Sequence, residues 1–199
     1  FLIFVLFIIF RNIKWVIIPL ISTCYAILAM TGLIGLFNWE ITAISSNFIS
    51  LMLILSISMN IHIINRYRIN YSENINYLTS LNLTIKNMFY PCLYTSLTTI
   101  VAFGSLLFSD IKPVIDFGKI MIVALIIIFI SSFTILPLVI SLFPKISDNF
   151  NLNWKINDLF FQISSKNAKS IIILNLLLFV ISLWGIQNLN VENSFINYF

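Results

Sequence analysis

The sequence predicts an all-α, polytopic membrane helix bundle, on three observations. Hydrophobic residues make up 60% of the chain and charged residues 9%, with a mean hydropathy of +1.03. A soluble domain carries roughly 25% charged residues, so a surface this apolar must face lipid. Apolar runs of about twenty residues, the length that crosses a bilayer core, recur between short polar connections. The basic residues, finally, fall in alternate connections, as expected of a chain threaded back and forth through a membrane.

Residues 1–10, FLIFVLFIIF, are apolar throughout, but as a helix they cover only about 15 Å of a roughly 30 Å hydrocarbon core. They lack an initiator Met, a charged start and a small-residue cleavage site, so they read as the rest of a truncated span and not as a secretory signal. RNIK (11–14) leads into a first full span, 15–37, whose Pro19 lies in the opening turns, where a missing N–H costs least. After FNWEITAIS (37–45) a second full span runs over 46–64 and ends in NRYR (65–68). Residues 70–87 are polar, yet Ile75, Leu78, Leu81, Ile85 and Phe89 recur at helical spacing, which predicts an amphipathic helix lying on the membrane surface. Spans follow at 89–108 and 117–143, joined by SDIKPVID (109–116), and complete a bundle over 1–143. Residues 144–169, the longest polar segment, read as a linker, 170–187 as the first helix of a second bundle, and 188–199 as an extended strand entering a soluble domain. The stub and five full spans make about six helices, truncated at both ends.

Nine of the eleven Lys and Arg residues (Arg11, Lys14, Arg66, Arg68, Lys86, Lys145, Lys155, Lys166 and Lys169) lie in 11–14, 65–88 and 144–169. Only Lys112 and Lys119 fall in the other set. The positive-inside rule therefore makes 11–14, 65–88 and 144–169 cytoplasmic. The net charge of +4 is no argument for nucleic acid, because the basic residues are scattered singly and form no phosphate-binding block. Cys24 and Cys92 both lie in apolar stretches, where a small buried thiol is the ordinary expectation.

Ionisable residues inside a bilayer are costly and mark ion or proton paths. Glu40, Asp110, Lys112, Asp116 and Lys119 all lie at or near span ends. The nearest candidate for a polar relay is the second span, where Ser58 and His62, like Ser56 and Asn60, are four residues apart and share a helix face. Such a stripe can line a water path or serve as interhelical glue, and glue is the favoured reading, with His62 within about a turn of the cytoplasmic interface. A second stripe, Thr95, Ser96, Thr98 and Thr99, follows Pro91; Thr98 and Thr99 join Ser56, Ser58, Asn60 and His62 as candidates for the relay, although hydroxyls there can bond back to carbonyls freed by a bend, which is the favoured reading. Gly32, Gly35 and Gly104 suit close helix approach. With one His, no HExxH pattern, no paired acids on a helical face and no Gly-rich phosphate loop, enzyme chemistry is not expected, nor is a cofactor or metal.

The run PCLYTSLTTIVAFGSLLFSDIKPVIDFGKIMIVALIIIFISSFTILPLVISL (91–142) resembles the paired fifth and sixth helices of the resistance–nodulation–division (RND) superfamily, in particular the branch of hydrophobe and lipid exporters that includes the MMPL-type proteins. That branch shows in order a Pro, TSLTT, an FG pair, a Ser-Asp turn with Pro, FG, and a helix ending in ILP. FRNIKWVIIPLIS (10–22) is similar to the family's turn into its third helix, SMNIHIINRYR (58–68) to the end of its fourth, and NVENSFINYF (190–199) to the opening of its second extracytoplasmic domain. The fold implied is the RND-type, sterol-sensing-domain-like transmembrane bundle, with this chain covering helices two to seven.

The resemblance implies a multi-pass protein of the bacterial inner membrane that exports lipidic or hydrophobic molecules on the proton gradient. Its partners are then membrane lipids, a hydrophobic or lipidic substrate, and the second half and soluble domains of the same polypeptide, with no nucleic acid. One departure matters: many relatives place an Asp of the proton relay where this chain has Ser58. Two other readings share the bundle, a sterol- or lipid-sensing domain without transport and an accessory to protein secretion. NRYRIN (65–70) lacks the acidic-basic run usual in the secretion group.

Overall fold

The computed structural model describes residues 2–10, 12–42, 45–73, 76–143 and 168–186. They form six α-helices, with no strand among the described residues: α1 (Leu2–Phe10), α2 (Ile13–Leu36), α3 (Phe48–Glu73), α4 (Tyr77–Gly104), α5 (Lys112–Leu142) and α6 (Ala168–Ile186). Short 3-10 turns over Ser45–Asn47 and Ser105–Phe108 introduce α3 and close α4. Helices α2 to α5 are long and apolar enough to cross a membrane. The chain divides into two units, Phe1–Phe150 and Asn151–Phe199. The second is described only through α6, where the sequence places a helix at 170–187; of the linker expected over 144–169 residues 144–167, and the strand expected over 188–199, lie outside the described residues, and α6 takes in 168 and 169.

Within the first unit α3 and α5 pack on each other and on both α2 and α4, while α2 and α4 do not meet. The helices therefore surround a shared α3–α5 centre, with α1 against α2. The core is stratified. At one end Trp15, Ile18, Ile63, Ile64, Tyr67, Leu136 and Ile140 pack together; at the other Ala26, Met30, Phe48, Met52, Met121, Ala124 and Ile128 do so. Between these layers along α2, α3 and α5 lie the buried Ser22, Thr23, Ser56, Asn60, Ser131 and Ser132. With no solvent to serve it, polar chemistry in a membrane bundle must be satisfied between helices, and most of this layer is paired in that way.

The helix ends have local causes. Asn12 caps α2, its side chain accepting from the Lys14 N–H at 3.1 Å, which satisfies one of the donors every helix start leaves free. At the other end Asn38 adopts φ 50°, the left-handed conformation that Asn tolerates better than other residues with a Cβ. The Asn38 N–H donates to Gly35 O at 3.3 Å and the Trp39 N–H to Ile34 O at 3.1 Å, while Trp39 and Ile34 share the apolar core. That pairing of hydrogen bonds and apolar contact is the Schellman stop.

Residues 70–87 do not form one surface helix. They divide between the end of α3 and the start of α4, an antiparallel pair that continues past the apolar spans. The Asn70 side chain donates to Thr84 Oγ1 at 2.9 Å, and Ser80 Oγ donates to Asn70 O at 3.3 Å. Leu81, Ile85 and Met88 pack into the core cluster around Tyr67. The segment is helical on both sides of residues 74–75, but of its apolar stripe Leu81 and Ile85 face protein while Leu78 stays exposed, and Asn70, Ser80 and Thr84 satisfy one another. Arg68, buried to 9% exposure, lies with its guanidinium 5.4 Å from the Phe10 ring centroid and 5.7 Å from that of Trp15, a cation–π arrangement.

The glycines named for close approach do not provide it. A Cβ on Gly32 or Gly35 meets nothing within 4 Å, and one on Gly104 meets only Ile122 Cδ1 at 4.0 Å. Gly118 is the close contact: a Cβ there would stand 2.9 Å from Phe103 O and 3.1 Å from Leu106 Cβ. Cys92 is buried as expected, but Cys24 faces outward.

Candidate functional site

The residues of the expected relay separate onto two faces of α3. Ser56 and Asn60 turn toward α2. The Asn60 amide donates to Pro19 O and to Thr23 Oγ1, each at 3.3 Å, and Thr23 Oγ1 lies 3.0 Å from Ser56 Oγ. All three side chains are sealed from outside. Beside them Ser131 Oγ on α5 donates to Ser22 O at 3.0 Å and pairs with Ser22 Oγ at 3.2 Å. This is a helix-to-helix polar seam. Asn60 Oδ1 and Ser132 Oγ are its atoms without a hydrogen-bond partner among the described residues.

Ser58 and His62 turn the other way, into a cleft between α3, α4 and α5 with a volume of about 320 Å³. Thr95, Ser96 and Thr99 of α4 line its opposite wall. The remaining lining is apolar, with Leu125 and Ile128 of α5 and Cys92 of α4 buried at its base. Ser58 and His62 are exposed at the mouth, whereas Ser96 is 5% exposed. Thr98 takes no part in the lining; it faces outward and donates to Thr95 O at 2.9 Å.

The hydroxyls of the α4 wall differ in what they have left to give. Thr95 donates to Cys92 O at 2.9 Å and Thr99 to Thr95 O at 2.7 Å, the back-bonding that eases helices near a proline such as Pro91. Ser96 Oγ has no partner among the described residues. A buried hydroxyl left unsatisfied costs about 1–3 kcal/mol, and in native proteins such a group is normally met by water or a ligand.

The helix that carries His62 also runs further than the sequence indicates. The expected span stops at 64, but α3 runs on to Glu73, so eleven residues follow His62, about 17 Å of helix. Arg66, one turn further along the same face, is exposed. The signal for this was present in the sequence only as a polar stretch, and the pairing of Asn70 with Thr84 that keeps it helical depends on α4.

A second, smaller cleft of about 250 Å³ lies where α2 ends and α5 begins, lined by Asn38, Trp39, Glu40, Lys112, Asp116, Lys119 and Ile120. Its ion pairs, Lys112 with Glu40 at 3.6 Å and Lys119 with Asp116 at 3.8 Å, join mainly exposed groups and contribute little by themselves. Among the described residues no group of three or more His, Cys, Asp or Glu side chains is placed to hold a metal ion.

A bundle of four membrane-length helices, sealed by apolar layers at either end and polar at mid-height, defines a multi-pass membrane protein. The chain belongs to the MMPL family, whose model matches residues 1–159, and with it to the transporter-like membrane proteins of the RND superfamily. No curated protein matches the chain.

Proposed function

We propose that this chain is part of an inner-membrane exporter of lipidic or hydrophobic molecules driven by the proton gradient. The observation that carries the reading is the cleft between α3, α4 and α5. It sets Ser58 and His62 of one helix against the hydroxyl wall of another, and ionisable side chains on crossing helices mark ion or proton paths. On this reading the chain threads with 11–14, 65–88 and 144–169 on the cytoplasmic side, and its cargo, lipids and remaining domains are its partners. Membership of a transporter family speaks for movement of a solute and against catalysis as the chain's role.

Reconstituted in lipid vesicles with an imposed pH difference, the full-length protein should move a lipophilic fluorescent dye such as Nile red, and an uncoupler that collapses the gradient should stop it. Dye movement that continues unchanged after collapse would overturn proton drive. The second reading, a lipid-sensing bundle without transport, draws on the same cleft: its base is apolar, and Ser58 is a hydroxyl that does not titrate near neutrality. Saturable dye binding with no gradient-dependent movement would favour it.

A further inference from the structure

We infer that the smaller cleft, between the end of α2 and the start of α5, binds the phosphoethanolamine headgroup of a membrane phospholipid and holds it as a resident lipid of the bundle. The inference goes beyond the transport reading and stands whether or not the bundle moves a solute, because this site is separate from the cleft of α3, α4 and α5.

The charges point to a zwitterion. Lys112, Asp116 and Lys119 follow one another at i, i+4 and i+7, so they form one stripe on α5, and Glu40, just past α2, lines the same cleft. Ammonium groups and carboxylates are therefore present in equal number. They are not consumed by one another: Lys112 Nζ stands 3.6 Å from Glu40 Oε2 and Lys119 Nζ 3.8 Å from Asp116 Oδ1, outside the range of about 2.7–2.9 Å of a charge-assisted hydrogen bond. A set of separated charges that sums to zero is complementary to a ligand of the same kind, whereas a net anion or cation would meet repulsion from half of it. Helix α5 also begins at Ile111 without a side-chain cap, so the positive end of its dipole adds to Lys112 on the phosphate side. A primary ammonium suits Glu40 and Asp116 better than a quaternary one, because its three N–H groups can donate to both carboxylates.

The surroundings point to a lipid. The cleft measures about 250 Å³, room for about eight waters at ~30 Å³ each, which matches a phosphoethanolamine group. Its base is apolar: Ile120 is buried, and the half-buried Trp39 packs into the same core cluster. Trp at the end of a membrane span sits at the level of the headgroups. The residues next to the charged lining are apolar and exposed, namely Leu36, Phe37, Ile41 and Ile111, and Phe108 of the α4–α5 connection is 91% exposed. Acyl chains can cover such a rim, and a soluble zwitterion leaves it in water.

The test is a lipid competition read by native mass spectrometry. Full-length protein in detergent micelles is given an equimolar mixture of phosphatidylethanolamine, phosphatidylcholine and phosphatidylglycerol with identical acyl chains. The wild type should retain the ethanolamine lipid about three- to tenfold over the choline lipid, the effect of one or two partly exposed charge contacts. Glu40→Gln combined with Asp116→Asn should abolish that preference, and Lys112→Gln combined with Lys119→Gln should lower retention of both lipids, which share the phosphate. Glu40→Gln alone, at a side chain 76% exposed and so without effect on packing, should reduce the preference about twofold or more. Equal retention of the three lipids by wild type, a preference for the glycerol lipid, or an ethanolamine preference that survives in a folded double carboxylate variant overturns the inference. Soluble O-phosphoethanolamine that displaces the lipid at equal concentration would assign the cleft to a soluble zwitterion and likewise overturn it. The readout contains no transport step, so failure of gradient-driven dye movement bears on the exporter reading alone.

Discussion

Thr23 stands where three helical groups meet: it accepts from the Asn60 amide at 3.3 Å and shares a proton with Ser56 at 3.0 Å, while the same amide reaches Pro19 O. Replacing it with Val keeps the shape and removes the hydroxyl, so Asn60 and Ser56 each lose a partner in a place water cannot reach. Hydrogen bonds between membrane helices contribute about 0.6 kcal/mol on average, but leaving buried partners unmet raises the cost. Thr23→Val should therefore destabilise the bundle by about 1–2 kcal/mol. Thr23→Val combined with Asn60→Leu should cost clearly less than the two singles summed, because no orphan amide remains. Denaturant unfolding in detergent micelles, followed by tryptophan fluorescence, measures both, and strict additivity would show that the seam is not a unit. The sequence exposed half of this seam. Ser56 and Asn60 are visible as an i, i+4 pair, but Thr23, Ser22 and Ser131 sit among apolar residues with no period of their own, and only the packing of α2 on α3 and α5 shows what they serve. Read from the sequence, Ser58 and His62 join Ser56 and Asn60 in one relay, although residues two apart on a helix face in different directions, and only the packing shows that one pair meets α2 and the other the α4 side.

Helix α5 approaches the end of α4 at Gly118, and that contact fixes the hairpin made by the two helices. The atom a Cβ would meet is a main-chain carbonyl, Phe103 O at 2.9 Å, which cannot swing aside as a flexible side chain could. Gly118→Ala should thus push α5 from the Ser105–Phe108 turn and cost about 1–3 kcal/mol, the usual price of overpacking. Gly32→Ala and Gly35→Ala enter open space and should be neutral or stabilising by up to about 1 kcal/mol through helix propensity. Thermal unfolding of the three variants in one detergent compares them, and a Gly118→Ala protein as stable as Gly32→Ala would contradict the packing described. Composition cannot separate these glycines, because the distinction lies in a neighbouring helix. Helix existence was easier to read than helix length. Twenty-residue apolar runs located α2 to α5, whereas the ends of α3 and the start of α4 are polar and helical for a tertiary reason: Asn70, Ser80 and Thr84 satisfy one another, and Arg68 finds two aromatic rings.

At the scale of the molecule, the order of α2 to α5 sets which connections share a side of the membrane. Four consecutive crossings place the α2–α3 connection, with Glu40, opposite the α3–α4 connection, with Asn76. The α4–α5 connection, with Asp110, then returns to the side of Glu40. The charges follow the same alternation, since Lys14, Arg66 and Lys86 lie at one end of the bundle and Lys112 and Lys119 at the other. A lone helix could be forced to cross in either sense, but here α3 and α5 are locked to both α2 and α4, so one crossing cannot invert without breaking the seam at Thr23 and the contact at Gly118. Single cysteines at Glu40, Asn76 and Asp110, in a protein whose Cys24 and Cys92 are replaced by Ser, test this with a thiol reagent that does not cross membranes. Applied to intact cells, the reagent should label the Glu40→Cys and Asp110→Cys proteins, and should reach Asn76→Cys only after the membrane is opened. Labelling of all three from outside would mean that α3 or α4 does not cross. Labelling of Asn76→Cys alone would reverse the assignment of sides.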